Sequence, residues 1–150
     1  MTDDAPTPDD SAGSFRELER TFKGAKLRDE LEVKNAAAAL QRDQIREMTD
    51  HKVSDSEWEA LVGRARQAAE HGEKELMLLR FPSGLCTDGS RAINNPPNDA
   101  WPQTLRGEAA ELYRRWHAAL RPRGFGLFAR VLDFPGGKPG DVGLFLRWGE

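Results

Sequence analysis

Between Ser83 and Gln103 the chain gathers the residue types that bind and react: Cys86, Thr87, Asp88, Ser90, Arg91, Asn94, Asn95, Asn98 and Asp99. Connections longer than about 12–15 residues inside a compact domain are usually functional or disordered. This one follows an apolar segment that reads as a strand, and open α/β sheets place their ligands beyond strand ends. The chemistry would be capture of a polar or anionic ligand, with Arg91 as the anchor and Cys86, Asp88 and Asn94 as the other polar groups. The plainer reading carries more weight. In it Asp88-Gly89 makes a turn, the asparagines bond their own backbone, and Ile93 and Trp101 fill the core. Cys86 as a nucleophile would need a base within hydrogen-bond reach. The histidines are His51, His71 and His117, and none sits in a recognisable motif. A small buried hydrophobe is the more economical role for a single thiol.

A second group is basic. Arg114, Arg115, Arg121 and Arg123 lie on the last turns of a helical stretch and just beyond it. Guanidinium groups at this density can take phosphate from a nucleic acid or a nucleotide. They also complement the negative end of a helix dipole, which requires no ligand. For metal there is no HxxxH, CxxC or HExxH spacing, and Asp88, Asp99, Asp133 and Asp141 lack the spacing of a calcium loop. No metal and no cofactor is expected. Arg121-Pro-Arg-Gly-Phe-Gly126 looks like a phosphate-gripping glycine loop. It follows a helix and opens a strand, however, so no helix N-terminus stands behind it, and Pro122 removes a donor.

These residues must be positioned by a small set of elements. Residues 1–13 hold four aspartates and two prolines with no large apolar residue after Met1, and are expected to be a disordered tail. Ser14 and Glu17 have capping-box spacing, and no proline interrupts the chain from there to Thr49. The pattern predicts a long helical arm over 14–50. Leu27, Leu31, Ala38, Ile45 and Met48 make a thin apolar seam, broken by Lys34 and Gln41. Phe15, Leu18, Phe22 and Ala25 make a second, shorter stripe. Such a helix is half of a coiled coil or a helix awaiting a partner.

The rest, 54–150, reads as a single α/β domain. Ser54 and Glu57 form another capping box, followed by the apolar face Trp58, Leu61, Val62, Ala65 and Ala69 and closed at Gly72. Glu75–Phe81 is a short buried strand. A helix from Thr104 to Leu120 carries Leu105, Ala109, Leu112 and Trp116 on one face. Phe125–Phe134 and Val142–Trp148 read as strands joined by a turn-rich segment into an antiparallel hairpin. The expected class is α+β, in the order α-α-β-α-β-β. The expected sheet is small, three-stranded and mixed, with the first two strands as parallel neighbours. Strands apolar on both sides call for cover on both faces, from the long helix or from another subunit.

Composition bounds the function. The 150 residues carry net charge −3, divided unevenly. Residues 1–75 hold 12 Lys/Arg against 18 Asp/Glu, and residues 76–150 hold 10 against 7. A surplus of three cations over half a chain falls short of a nucleic-acid footprint, so nucleic-acid binding ranks below the other readings. No apolar run approaches the roughly 20 residues of a membrane helix. The acidic N-terminus is unlike a secretory signal. One cysteine makes no internal disulfide, which points to the cytoplasm. The leading expectation is a non-enzymatic interaction or regulatory protein. Its arm would self-associate or dock on another protein, and its 83–103 loop would recognise a target. The alternative is a small enzyme or ligand-binding domain built on that loop.

Overall fold

The computed structural model describes residues 10–149, so most of the expected tail lies outside the described residues. Helix α1 runs from Ala12 to Asp50. Its first turn is capped by Ser11, whose Oγ accepts from the Ser14 N–H at 3.1 Å, rather than by Ser14 as expected. Gly24 does not interrupt it, because the surrounding Ala, Leu, Glu, Lys and Arg outweigh one glycine's cost of about 1 kcal/mol.

The chain divides into two compact units between Leu40 and Gln41, inside α1. The physical reason lies in the last three turns. Met48 is buried in the core of the second unit and Ile45 packs against that core. Helix α2 (Asp55–Glu70) is capped by Ser54, whose Oγ accepts from Glu57 N–H at 3.1 Å. Gly72 follows with φ +82°, the left-handed turn that glycine allows.

Strands β1 (Glu75–Pro82), β2 (Gly126–Val131) and β3 (Asp141–Arg147) form one sheet in the order β1-β3-β2, and both neighbouring pairs are antiparallel. The α+β class and the β2–β3 hairpin are as expected. The mixed sheet is not formed: β1 and β2 run in the same direction but β3 lies between them. The segment joining β1 to β2 is long enough to step across a strand. β3 is the most thoroughly buried of the three, which suits it to the centre.

Val142, Leu144 and Leu146 of β3 point into the core with Leu78, Phe81, Ala65 and Leu112. The register shifts between Met77 and Leu79, so Leu78 enters the core as the extra residue of a bulge. The other face of the sheet is roofed by its own side chains. Phe128 stacks on Phe145 at 5.0 Å, and the Arg130 guanidinium lies 4.3 Å from the centre of the Phe145 ring.

The expected helix Thr104–Leu120 is divided into three. A 3-10 turn covers Trp101–Thr104, helix α3 covers Gly107–Arg115, and a wide π turn covers Trp116–Leu120. Arg106 takes an extended conformation because its side chain donates to the Leu85 carbonyl at 2.8 Å and to that of Gly84. At the other end Pro122 has no N–H to give, and Arg121 N–H reaches back to the Trp116 carbonyl, five residues away.

Candidate functional site

The 83–103 loop is held by its own polar groups. Asp88 accepts from Ser90 N–H at 3.0 Å and from Ala92 N–H at 2.9 Å, so both carboxylate oxygens are engaged locally. Ser90 is fully buried with φ +71°, a strained conformation fixed by that Asp88 contact and by a 2.9 Å hydrogen bond to the Ser83 hydroxyl. Ser83 Oγ also donates to the Gly140 carbonyl at 2.7 Å, tying the loop to the start of β3.

Cys86 is buried, and that burial pushes its thiol up to about 11, opposed by a hydrogen bond with the Thr104 side chain. A thiol so raised is protonated at neutral pH and is a poor nucleophile. Ring nitrogens of the three histidines pair elsewhere: His51 with Glu57, His71 with the Gln67 carbonyl, and His117 with Arg121. Arg91 and Asn94 are exposed. The four proposed ligand residues thus divide into two that are engaged inside the loop and two on its surface.

The arginine group divides as well. Arg115 is turned toward α2, where Nη2 donates to the Val53 carbonyl at 2.8 Å and to Asp55 at 2.9 Å. One turn earlier, Glu111 accepts from the Val53 N–H. Two side chains four residues apart therefore grip both sides of Val53 and fix the start of α2 to α3. Arg121 lies against His117 at 2.8 Å, while Arg114 and Arg123 are exposed. Asp133 and Asp141 converge as well, on Arg80: Asp141 at 2.7 Å and Asp133 at 3.7 Å.

The folding of the second unit creates one constellation that no sequence motif announces. His51 follows the end of α1, Glu57 sits in the first turn of α2, and Glu108 in the first turn of α3. One ligand-type atom from each lies within 4.8 Å of the others. Gly107 permits this approach. Its φ is +53°, and a Cβ there would overlap the Met48 carbonyl and the Thr49 backbone. His51 Nε2 and Glu57 are 2.8 Å apart. That hydrogen bond raises the His51 pKa, helped by the charges of Glu108, Glu57 and Glu111, and it lowers that of Glu57. Burial raises Glu108, with His51 opposing. The three could share a proton or hold a divalent cation. The sequence shows Ser54-x-x-Glu57 as a cap and His51 as an isolated residue. The 51-residue gap between Glu57 and Glu108 hides their proximity.

The remaining feature is α1 itself. Nine large apolar side chains are exposed among the described residues, and seven of them lie on α1 before Gln41. At 100° per residue, Phe15, Leu18, Phe22, Ala25, Val33, Ala36 and Leu40 fall within about 80° of one another around the axis. The short stripe expected from Phe15 to Ala25 therefore continues to Leu40, with Asp29 at its middle. Leu27, Leu31 and Ala38 lie on the opposite side. A strict heptad template loses the first stripe at Asp29, because an α-helix drifts about 20° per heptad away from it. Among the described residues, no helix is long and apolar enough to cross a membrane. Comparison with protein-family models, with curated proteins and with solved structures finds no match to this chain.

Proposed function

We propose that this is a non-enzymatic interaction protein of the cytoplasm, in which the helical arm is the element of association and the α/β body is the folded unit it serves. The observation that carries this reading is the uneven exposure. Phe15, Leu18, Phe22, Val33 and Leu40 are each more than half exposed, on one face of one helix. Burying a side chain of this size is worth about 1.5–3 kcal/mol, so a row of five is a strong drive toward a partner. Against a catalytic reading of the 83–103 loop stand the protonated, buried Cys86 and the locally engaged Asp88. Against nucleic acid stands Arg115, whose guanidinium is occupied by Val53 and Asp55. The loop's role in recognition rests on its exposed Arg91 and Asn94.

The test is the full chain against its double variant Phe22→Asp/Leu40→Asp. Association, with itself or with a protein from the native source, is expected to disappear in the variant. Thermal unfolding of the body is expected to stay the same. Association that survives both substitutions would remove the arm from this role.

A further inference from the structure

Residues 12–40 carry a second pattern besides the apolar stripe, and the two agree. Charge is segregated along the helix. Residues 12–28 hold Arg16, Arg20, Lys23, Lys26 and Arg28 against Glu17 and Glu19, a net +3. Residues 29–40 hold Asp29, Glu30 and Glu32 against Lys34, a net −2. Two such helices side by side in parallel would set like charge against like. Reversing one sets the basic half of each against the acidic half of the other, and it opposes the helix dipoles favourably too.

The apolar stripe has the same symmetry. A two-fold antiparallel pair requires that if residue i meets residue j, then j meets i. Centred between Leu27 and Arg28, the largest side chains of the stripe satisfy this. Phe15 falls opposite Leu40, and Phe22 opposite Val33. Leu18 falls opposite the small Ala37, next to Ala36. Asp29, the one charge in the middle of the stripe, falls opposite Lys26. Large side chains meet smaller ones, and the one acidic interruption meets a cation. Leu18, Asp29 and Leu40 recur every 11 residues, as do Phe22 with Val33 and Ala25 with Ala36. That period is close to a straight helix's own, so the contact needs little supercoiling.

We propose that residues 12–40 pair with the same segment of a second copy of this chain, antiparallel, in the register that sets Phe22 against Val33 and Lys26 against Asp29. This deepens the association reading above, and it names the partner.

Sedimentation of the full chain over a wide concentration range should show a monomer–dimer equilibrium. Register and direction are read by disulfide trapping between full-length Phe22→Cys and Val33→Cys variants under mild oxidation. The buried Cys86 is a slow competitor. The mixture should give a mixed disulfide severalfold in excess of either variant's self-disulfide. Asp29→Lys should weaken the dimer by roughly tenfold or more, about 1.4 kcal/mol or more. Lys26→Asp added to Asp29→Lys should restore it to within a few-fold, because the swapped pair still matches. Dominant self-disulfides would mean parallel helices and overturn the proposal. A monomer at all concentrations would overturn it too. If another protein then binds the wild type but not Phe22→Asp/Leu40→Asp, the association reading stands while self-pairing falls. If binding ignores those substitutions, both fall.

Discussion

The arm before Gln41 and the body after it are built from similar apolar residues put to opposite uses. In the body, Leu144, Leu146 and Phe81 are almost wholly hidden from water, and polar groups such as Ser90 and Arg115 are matched within the fold. In the arm, Phe15, Leu18 and Phe22 have comparable size and remain largely exposed. The body contains enough distinct elements to close a core on itself. A single helix buries one face only against something else. The same residue types therefore form a closed core in one region and an exposed apolar face in the other.

Cutting the chain tests where that boundary lies and gives the largest effect. Removal of residues 1–40 should leave the unfolding temperature of the body unchanged. Removal of 1–51 also takes Ile45 and Met48, and should cost about 3–6 kcal/mol, most of an ordinary domain's stability. Equal losses from the two cuts, measured by denaturant unfolding, would erase the distinction between arm and body.

Matched truncations sharpen the same contrast. Leu144→Ala should destabilise the body by about 3–5 kcal/mol, whereas Leu31→Ala on the exposed arm should change it by less than about 0.5 kcal/mol. Glycines behave likewise. Gly107→Ala combines a left-handed backbone with overlap on Met48 and Thr49, and should cost about 2–3 kcal/mol. Gly24→Ala meets nothing within 4 Å, and should stabilise the arm by about 0.5–1 kcal/mol, visible as added helicity at 222 nm.

The smallest effect is electrostatic and confined to the body. His51 is raised above its ordinary 6.5 in the folded chain, so its contribution is complete below 6.5 and is lost as pH rises through the folded value. Glu57 is lowered below its ordinary 4.5, so its contribution is complete above 4.5 and is lost as pH falls through the folded value. The pair helps most between about 4.5 and 6.5, and weakly, because both groups are exposed. An NMR titration should place His51 above 6.5, and Glu57→Gln should bring it down. A His51 titration unmoved by that substitution would show that the pair does not form in solution.

Local signals in the sequence located most elements. Ser54-x-x-Glu57, the Trp58–Ala69 face and Gly72 define α2 without reference to the rest of the chain, because caps and periodicity act within a few residues. The short apolar run Val142–Trp148, set off by a turn-rich segment, defines a strand in the same way. Helix α3 was less legible. The Arg106 bonds to Gly84 and Leu85 that delay its start reach more than twenty residues back along the chain.

Short-range signals are enough to set the long helix, the α+β class, the hairpin and the segregation of charge along the arm. Each follows from propensity, spacing or composition over a short stretch. The central place of β3 comes from long-range packing, since strand order depends on which apolar faces meet. The tertiary structure likewise turned Arg115 inward onto Val53 and gave the last turns of α1 to the body's core. It also brought His51, Glu57 and Glu108 together from three elements, because proximity across more than fifty residues is set by packing and leaves no local trace.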